Sequence, residues 1–363
     1  MEKLKFSDVF DDITRQGTKI QANQYLVCGK YQIIDQSQND IAGYTNQEEG
    51  LFTDIPAIVF GDHTRVIKYV DRPCFLGADG VKLLKVKNDY LNCRYLYYVL
   101  LNAKIPDTGY NRHFKWLKEI DIPIYDAKIQ NIIVKMLDKI ADLIVKRKKQ
   151  LEKLDELVKS RFIEMFGDII LNPFGWEKDS LGTVCDVRDG THDSPKYYET
   201  GYPLVTSKNV TGGRIDLTDC SLICEVDFNK INERSKVDIG DIIMPMIGTV
   251  GKPVIVKIEP NFAIKNVALI KFKNNSKVLN VYVQTLLQSD YFDDAILSNV
   301  RGGTQKFISL GDIRKLEVLI PPLELQEQFA AFVEQVDKSK FEIKQSLEKL
   351  ELLKKALMQK YFG

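Results

Sequence analysis

The second half of this chain repeats the first, and that duplication limits the folds open to it more than any single motif does. Ile129–Gly167 lies over Leu325–Gly363 at a constant separation of 196 residues. Gln130 matches Gln326, and Leu151-Glu152-Lys153-Leu154 matches Leu347-Glu348-Lys349-Leu350. Phe166-Gly167 ends the first copy in register with Phe362-Gly363 at the end of the second. A shared Leu-Glu-Lys-Leu is common among helices, but the same Phe-Gly ending in register with it is not. Repeats at a fixed period imply repeated structural units.

Both copies carry a long helical pattern. Ile129, Ile133, Met136, Ile140 and Leu143 step by four and three, the spacing of an apolar helical seam. Leu151, Leu154, Val158 and Phe162 resume it beyond the basic run Lys146-Arg147-Lys148-Lys149. In the second copy Val336, Ile343, Leu350 and Leu357 recur every seven residues, with Leu347 and Leu353 between them. No Pro or Gly interrupts either stretch. About 36 helical residues make a rod of ~54 Å at 1.5 Å per residue, too long for one compact domain. Its seam needs a partner, and the other copy is the nearest one. The expected seam residues are Ile140, Leu151, Leu154, Val336, Leu347 and Leu350. The plainer alternative is two surface helices of separate domains.

The repeat extends upstream. Each helix follows an Ile-Pro, at Ile122-Pro123 and Ile320-Pro321. Proline disfavours helix in the residue before it, so these mark strand-to-helix boundaries. Gly109–Ile120 overlays Gly302–Ile313, pairing Phe114 with Phe307 and Leu117 with Leu310. The remainder reads as short apolar or alternating strands, such as Ala57–Phe60, Val81–Val86, Ile242–Met244 and Val267–Ile270. The expected fold class is α+β: a β-rich domain at 1–125, a long helix at 126–167, a second β-rich domain at 168–321 and a second helix at 322–363.

Composition narrows the function. The chain has 51 basic and 50 acidic residues, 44% apolar residues and 28% charged ones, ordinary for a globular protein. No apolar run approaches the ~18–20 residues that cross a bilayer, so no membrane role is expected. Met1–Phe6 has no apolar stretch of the signal-peptide kind, and the six cysteines form no CxxC pair. A reduced, cytoplasmic protein is the expectation. Gly248-Thr-Val-Gly-Lys252 imitates a phosphate-binding loop, but Met246 and Pro253 stand where that motif needs Gly and Ser or Thr. Asn172-Pro-Phe imitates an amino-methyltransferase motif without its second proline. Three scattered histidines offer no metal cluster, and no nucleophile–base motif is evident.

What remains is a set of polar loops whose side chains suit DNA. Gly109-Tyr110-Asn111-Arg112-His113, followed by Lys115, offers an amide, a guanidinium and an imidazole on one turn. Arg301, Thr304, Gln305 and Lys306 offer a similar set at the overlaid place. Arg or Lys suits guanine O6 and N7, and Asn or Gln suits adenine N6 and N7. Thr191, His192, Lys208, Asn209 and Lys252 add candidates in the second repeat, and Lys30 and Tyr44 in the first.

These features together resemble the specificity subunit of type I restriction–modification systems. The resemblance rests on Gly248–Lys252, Asn266-Val-Ala-Leu269, Gly302–Ile308, Ile320-Pro-Pro-Leu-x-x-Gln326 and the Leu-Glu-Lys-Leu…Phe-Gly helix ends, and covers essentially the whole chain. It implies two target recognition domains, each reading half of a split sequence in double-stranded DNA. The two long helices would pair as an antiparallel coiled coil that separates the domains and docks two modification (methyltransferase) subunits. It implies no catalysis and no cofactor in this chain. S-adenosylmethionine, ATP and Mg would belong to those subunits and to restriction (endonuclease and translocase) subunits. The first repeat lacks the Gly-Thr-Val-Gly-Lys and Gly-Gly-Thr-Gln forms, so its contact residues cannot be copied from the second. Two other classes stay open: a coiled-coil scaffold with no DNA role, and a nucleotide-binding enzyme using Gly248–Lys252.

Overall fold

The computed structural model describes residues 2–77, 79–246, 252–273, 275–299 and 308–363, with 295–299 described by backbone alone. The chain forms two compact units, one of residues 1–148 with 344–363 and the other of residues 149–343. Each unit therefore takes in part of both long helices, Ala127–Phe166 and Leu323–Phe362.

In the first unit the strands Phe10–Asp12, Val81–Val86, Ala57–Gly61 and Ile67–Val70 form an antiparallel sheet in that spatial order. A second sheet orders Gly43–Thr45, Tyr31–Ile34 and Cys74–Leu76, the last pair parallel. Glu2–Lys5 pairs with Asp121–Ile124 in a two-stranded ribbon, where Pro123 is tolerated because such a strand has a free edge. Ala57–Gly61 is buried throughout, as a central strand covered on both faces must be. The second unit repeats the plan with Asp186–Asp189, Val267–Lys271, Ile242–Pro245 and Val254–Ile255 in one sheet. Its smaller sheet orders Ser221–Ile223, Tyr202–Val205 and Ala263–Ile264, and Glu177–Ser180 pairs with Glu317–Ile320. The fold is α+β with an internal repeat.

Within each unit the helix segments run antiparallel. In the first, Tyr125 meets Tyr361 edge-on at 6.3 Å, and Lys148 pairs with Glu351 at 3.5 Å. In the second, Asp155 pairs with Lys340 at 2.6 Å, while Phe162 and Phe166 pack on Phe329. A buried tyrosine anchors each segment to its domain. Tyr95 donates to the Pro123 carbonyl and faces Phe362, and Tyr282 donates to the Leu319 carbonyl and faces Phe166. A buried glutamine does the same job beside it. Gln130 accepts from Asn92 N and donates to the Tyr125 carbonyl. Gln326 accepts from Leu279 N and donates to the Pro321 and Lys277 carbonyls. A buried donor left without its acceptor costs about 1–3 kcal/mol, so these amides fix the helices in register.

Two expectations are corrected in detail. Ile140 and Val336 are buried, but Leu151, Leu154, Leu347 and Leu350 are only half-buried, so the full ~2–5 kcal/mol of a core Leu→Ala does not apply to Leu154 or Leu350. The overlay of Gly109–Ile120 on Gly302–Ile313 is also three residues out. The short helices Phe114–Leu117 and Leu310–Lys315 begin 196 residues apart, as do the ribbon strands that follow them, Asp121–Ile124 and Glu317–Ile320, and the long helices. Phe114 therefore corresponds to Leu310, and the fully buried Leu117 to the fully buried Ile313.

Candidate nucleic-acid interface

In the first unit the loop ahead of Phe114 is tied to the hairpin turn that follows Ala57–Gly61. His113 N donates to the Asp62 carbonyl at 2.7 Å, and Phe114 N to Asp62 Oδ1 at 2.7 Å. His113 Nδ1 donates to the same carbonyl at 3.0 Å, leaving Nε2 to accept from the Thr108 hydroxyl at 3.4 Å. Because a carbonyl can only accept, this fixes the tautomer. The His113 ring has no accessible surface. Its expected place among the DNA-reading side chains is corrected: the imidazole is consumed inside the fold as the clamp that joins loop to turn.

That clamp leaves its neighbours outside. Gly109 turns the chain at φ +73°, with Asp107 Oδ1 accepting its N–H at 3.1 Å; such a positive φ suits glycine. Tyr110 is 87% exposed and stacks on His63 with ring centroids 4.7 Å apart and planes 8° off parallel. His63 Nδ1 also donates to the Asn111 carbonyl at 3.2 Å. Asn111 turns its amide back onto Thr108. Arg112 and Lys115 are exposed; Lys115 lies 4.0 Å over the Trp116 ring, and Arg112 has no partner among the described residues. Arg65, in the same turn at φ +60°, pairs with Asp107 at 2.7 Å. The result is an exposed Tyr110 stacked on a half-buried His63, with the exposed Arg112 two residues on in a loop tied down by Asp62 and His113.

Lys30 and Tyr44 lie on the other sheet of this unit. Lys30 pairs with Glu48 and stands 5.2 Å over the Tyr31 ring; Tyr44 is half-buried in the adjoining hairpin. No hydrogen bond or ion pair among the described residues joins them to the Tyr110 loop.

The second unit uses the same anchor. Ile308 N donates to the Met246 carbonyl at 3.0 Å, a bond like that of His113 to Asp62 but made one residue further ahead of the short helix. Arg301, Thr304, Gln305 and Lys306 lie outside the described residues, as do Gly248–Gly251. Lys252 is exposed and lines a cleft with Lys159, Lys340, Asp155 and Gln288. Asn209 is corrected: it is buried, accepting from Thr206 N and Oγ1 and donating to the Asp219 carbonyl. Its amide closes a turn, while Lys208 beside it is exposed and pairs with Asp219 at 3.6 Å.

Thr191 and His192 belong to a further cluster. Asp189, almost wholly buried, accepts from Arg234 on one oxygen and from His192 Nε2 at 2.8 Å on the other. His192 Nδ1 donates to Asn266 Oδ1 at 2.8 Å. Asn266 sits at φ +54°, and Gly190 passes so close to Ile264 that a Cβ there would meet its carbonyl oxygen at 2.5 Å. With Thr191, Ser194, Lys230 and Arg234 this makes an open cleft of about 390 Å³. Both ring nitrogens face acceptors, so the bond to Asn266, then that to Asp189, hold the His192 pKa above its ordinary value. Protonated His192 therefore stabilises the fold below about pH 6.5, and this contribution is lost as pH rises through the folded-state pKa. The ring is largely exposed, so the effect should stay below ~1 kcal/mol. Urea unfolding of His192→Gln should lack that slope; an unchanged pH profile would contradict the assignment.

Asp62, His63, Arg234 and Lys230 escaped the sequence reading. Gly61-Asp62-His63-Thr64 does carry a turn signal between two strands, which could have drawn attention to the first two. Nothing local marks Arg234, which is 45 residues from Asp189. Among the described residues no group of His, Cys, Asp or Glu is placed to hold a metal ion, and no helix is long and apolar enough to cross a membrane.

Comparison with known proteins agrees with this architecture. The sequence profile of the family described as "Type I restriction modification DNA specificity domain" matches residues 1–154 and 173–354. The type I restriction enzyme MjaVIII specificity subunit of Methanocaldococcus jannaschii is 27% identical over 316 residues, covering 78% of this chain and 74% of that protein. Of two other M. jannaschii relatives the chain spans only about half the length, 46% and 54%. In fold, the crystal structure of the type I restriction–modification S subunit from M. genitalium matches with a TM-score of 0.58 at 18% identity, covering 100% of this chain and 96% of that one. A chain from a structural study of complex assembly in the type I R-M system matches with a TM-score of 0.54 at 16% identity, covering 99% and 97%. With its profile match spanning both repeats, the chain belongs to the family of type I restriction–modification DNA specificity domains.

Proposed function

We propose that this chain is the DNA-recognition subunit of a type I restriction–modification complex. Its domains at 1–125 and 168–321 would each read one half of a bipartite target in double-stranded DNA. The helices at 126–167 and 322–363 would set the spacing and dock two methyltransferase subunits. In this reading the chain itself is non-catalytic and cytoplasmic. S-adenosylmethionine, ATP and Mg serve the methyltransferase and restriction subunits.

The observation that carries this reading is the repetition of one platform. Each unit ties the loop ahead of its short helix to the turn after its central strand, through His113 N to the Asp62 carbonyl and Ile308 N to the Met246 carbonyl. A similar anchor on two similar sheets suits two short DNA words. The first unit presents Tyr110, Asn111, Arg112 and Lys115; in the second, Arg301, Thr304, Gln305 and Lys306 are proposed for the same task, with Thr191, His192, Lys208 and Lys252 as further candidates. A fixed separation of half-sites would then be a property of the protein, as it is for dimeric readers.

The test is base-resolution mapping of methylated adenines in a host carrying this chain with its modification subunits. A single bipartite motif is expected, and exchanging residues 1–125 for those of a relative should change one half of it only. Absence of any sequence preference in the assembled complex would favour the scaffold reading instead.

A further inference from the structure

One face of the central helix carries lysines that take no part in the pairing of the two helices, and their place on the helix suggests a use. At 3.6 residues per turn, Lys128, Lys135, Lys139 and Lys146 fall within about 40° of arc. The buried residues of the same segment, Gln130, Ile133, Leu137 and Ile140, lie on the opposite side. All four lysines are exposed and none makes a hydrogen bond or ion pair among the described residues. Asp142 is the one acid on that face between them. Asp138, nearby, is already held by Arg94 and Tyr98. Lys135 and Lys139 stand four apart, a like-charge spacing that weakens a helix. The face therefore carries uncompensated positive charge over about 27 Å.

The second repeat does not share it. The residues 196 further on are Glu324, Ala331, Gln335 and Glu342. A protein partner bound in two equivalent places would meet lysines at one and glutamates at the other, so the face does not suit a repeated docking surface. It suits a polyanion: 27 Å spans about eight base pairs at ~3.4 Å each.

We propose that Lys128, Lys135, Lys139 and Lys146 bind backbone phosphates of the duplex in the spacer between the two half-sites. This rests on the recognition role proposed above. Such phosphate binding carries no sequence information; it adds affinity to the words that the domains read.

The complex of this chain with its modification subunits, wild type or with all four lysines changed to Gln, would be titrated with a duplex carrying the mapped motif at several salt concentrations. The variant is expected to bind at least tenfold more weakly at low salt. Its salt slope should be shallower by up to ~3.6, at about 0.9 for each phosphate no longer neutralised. Uncharged methylphosphonates in the spacer should weaken the wild type but not the variant, and Arg at all four positions should restore the slope. The methylated motif and the subunit stoichiometry by native mass spectrometry should not change. Sequence-specific binding with an unaltered slope would overturn this proposal alone, and loss of a modification subunit would assign the face to protein docking and overturn it too. A wild-type complex with no sequence preference would overturn the recognition reading together with this one.

Discussion

Phe166→Ala should destabilise the second unit by about 3–5 kcal/mol, the range for emptying a fully buried aromatic site. Phe166 has no accessible surface and sits against Tyr282 at 4.8 Å, Phe162 at 5.0 Å and Phe329 at 5.3 Å. These rings come from the end of one long helix, the start of the other and the domain between them, so the cavity would loosen all three. Its counterpart Phe362 is half-buried and meets Tyr95 at 5.6 Å, so Phe362→Ala should cost less. The chain has two tryptophans, one in each unit. Trp176 donates to the Phe166 carbonyl at 3.2 Å and reports on the second unit; Trp116 reports on the first. Urea unfolding of Trp116→Phe and Trp176→Phe backgrounds would separate the two. A midpoint in the second unit that Phe166→Ala leaves unmoved would contradict this packing.

Arg112→Ala should cost ~1–3 kcal/mol of discrimination at one base position if the guanidinium pairs bidentately with a guanine. The half-site read by the first unit should relax at that position while the other half-site is kept. His113→Ala is the informative contrast. It removes the imidazole's bonds to the Asp62 carbonyl and the Thr108 hydroxyl and empties a buried site, so it should lower stability and loosen the whole loop, weakening every position of that half-site together. Methylation mapping of both variants distinguishes a reader from a support. Should Arg112→Ala and Gln305→Ala both leave methylation rate and both half-sites unchanged, these loops are not the readers. Should Lys252→Ala weaken all sequences alike and flatten the salt dependence, Lys252 binds phosphate.

The duplication, the α+β class and the long helices were legible in the sequence, because each depends on local pattern. Apolar spacing of three and four writes the helices directly, and Ile-Pro pairs mark where strands give way to them. The resemblance to type I specificity subunits was likewise carried by short contiguous motifs. Which polar loop residues face water was not legible. His113 and Asn209 look like neighbours of Arg112 and Lys208 in sequence, yet both are buried. Each is spent on a distant backbone carbonyl, Asp62 for one and Asp219 for the other. Local periodicity cannot show such a pairing; it exists only once the sheets bring the turns together. The same holds for Asp189, which joins His192 to Arg234. The register of the two loops also depended on tertiary structure. A three-residue shift leaves the apolar matches intact, and only the helix starts at Phe114 and Leu310, 196 residues apart like the ribbon strands that follow them, decide between the two registers.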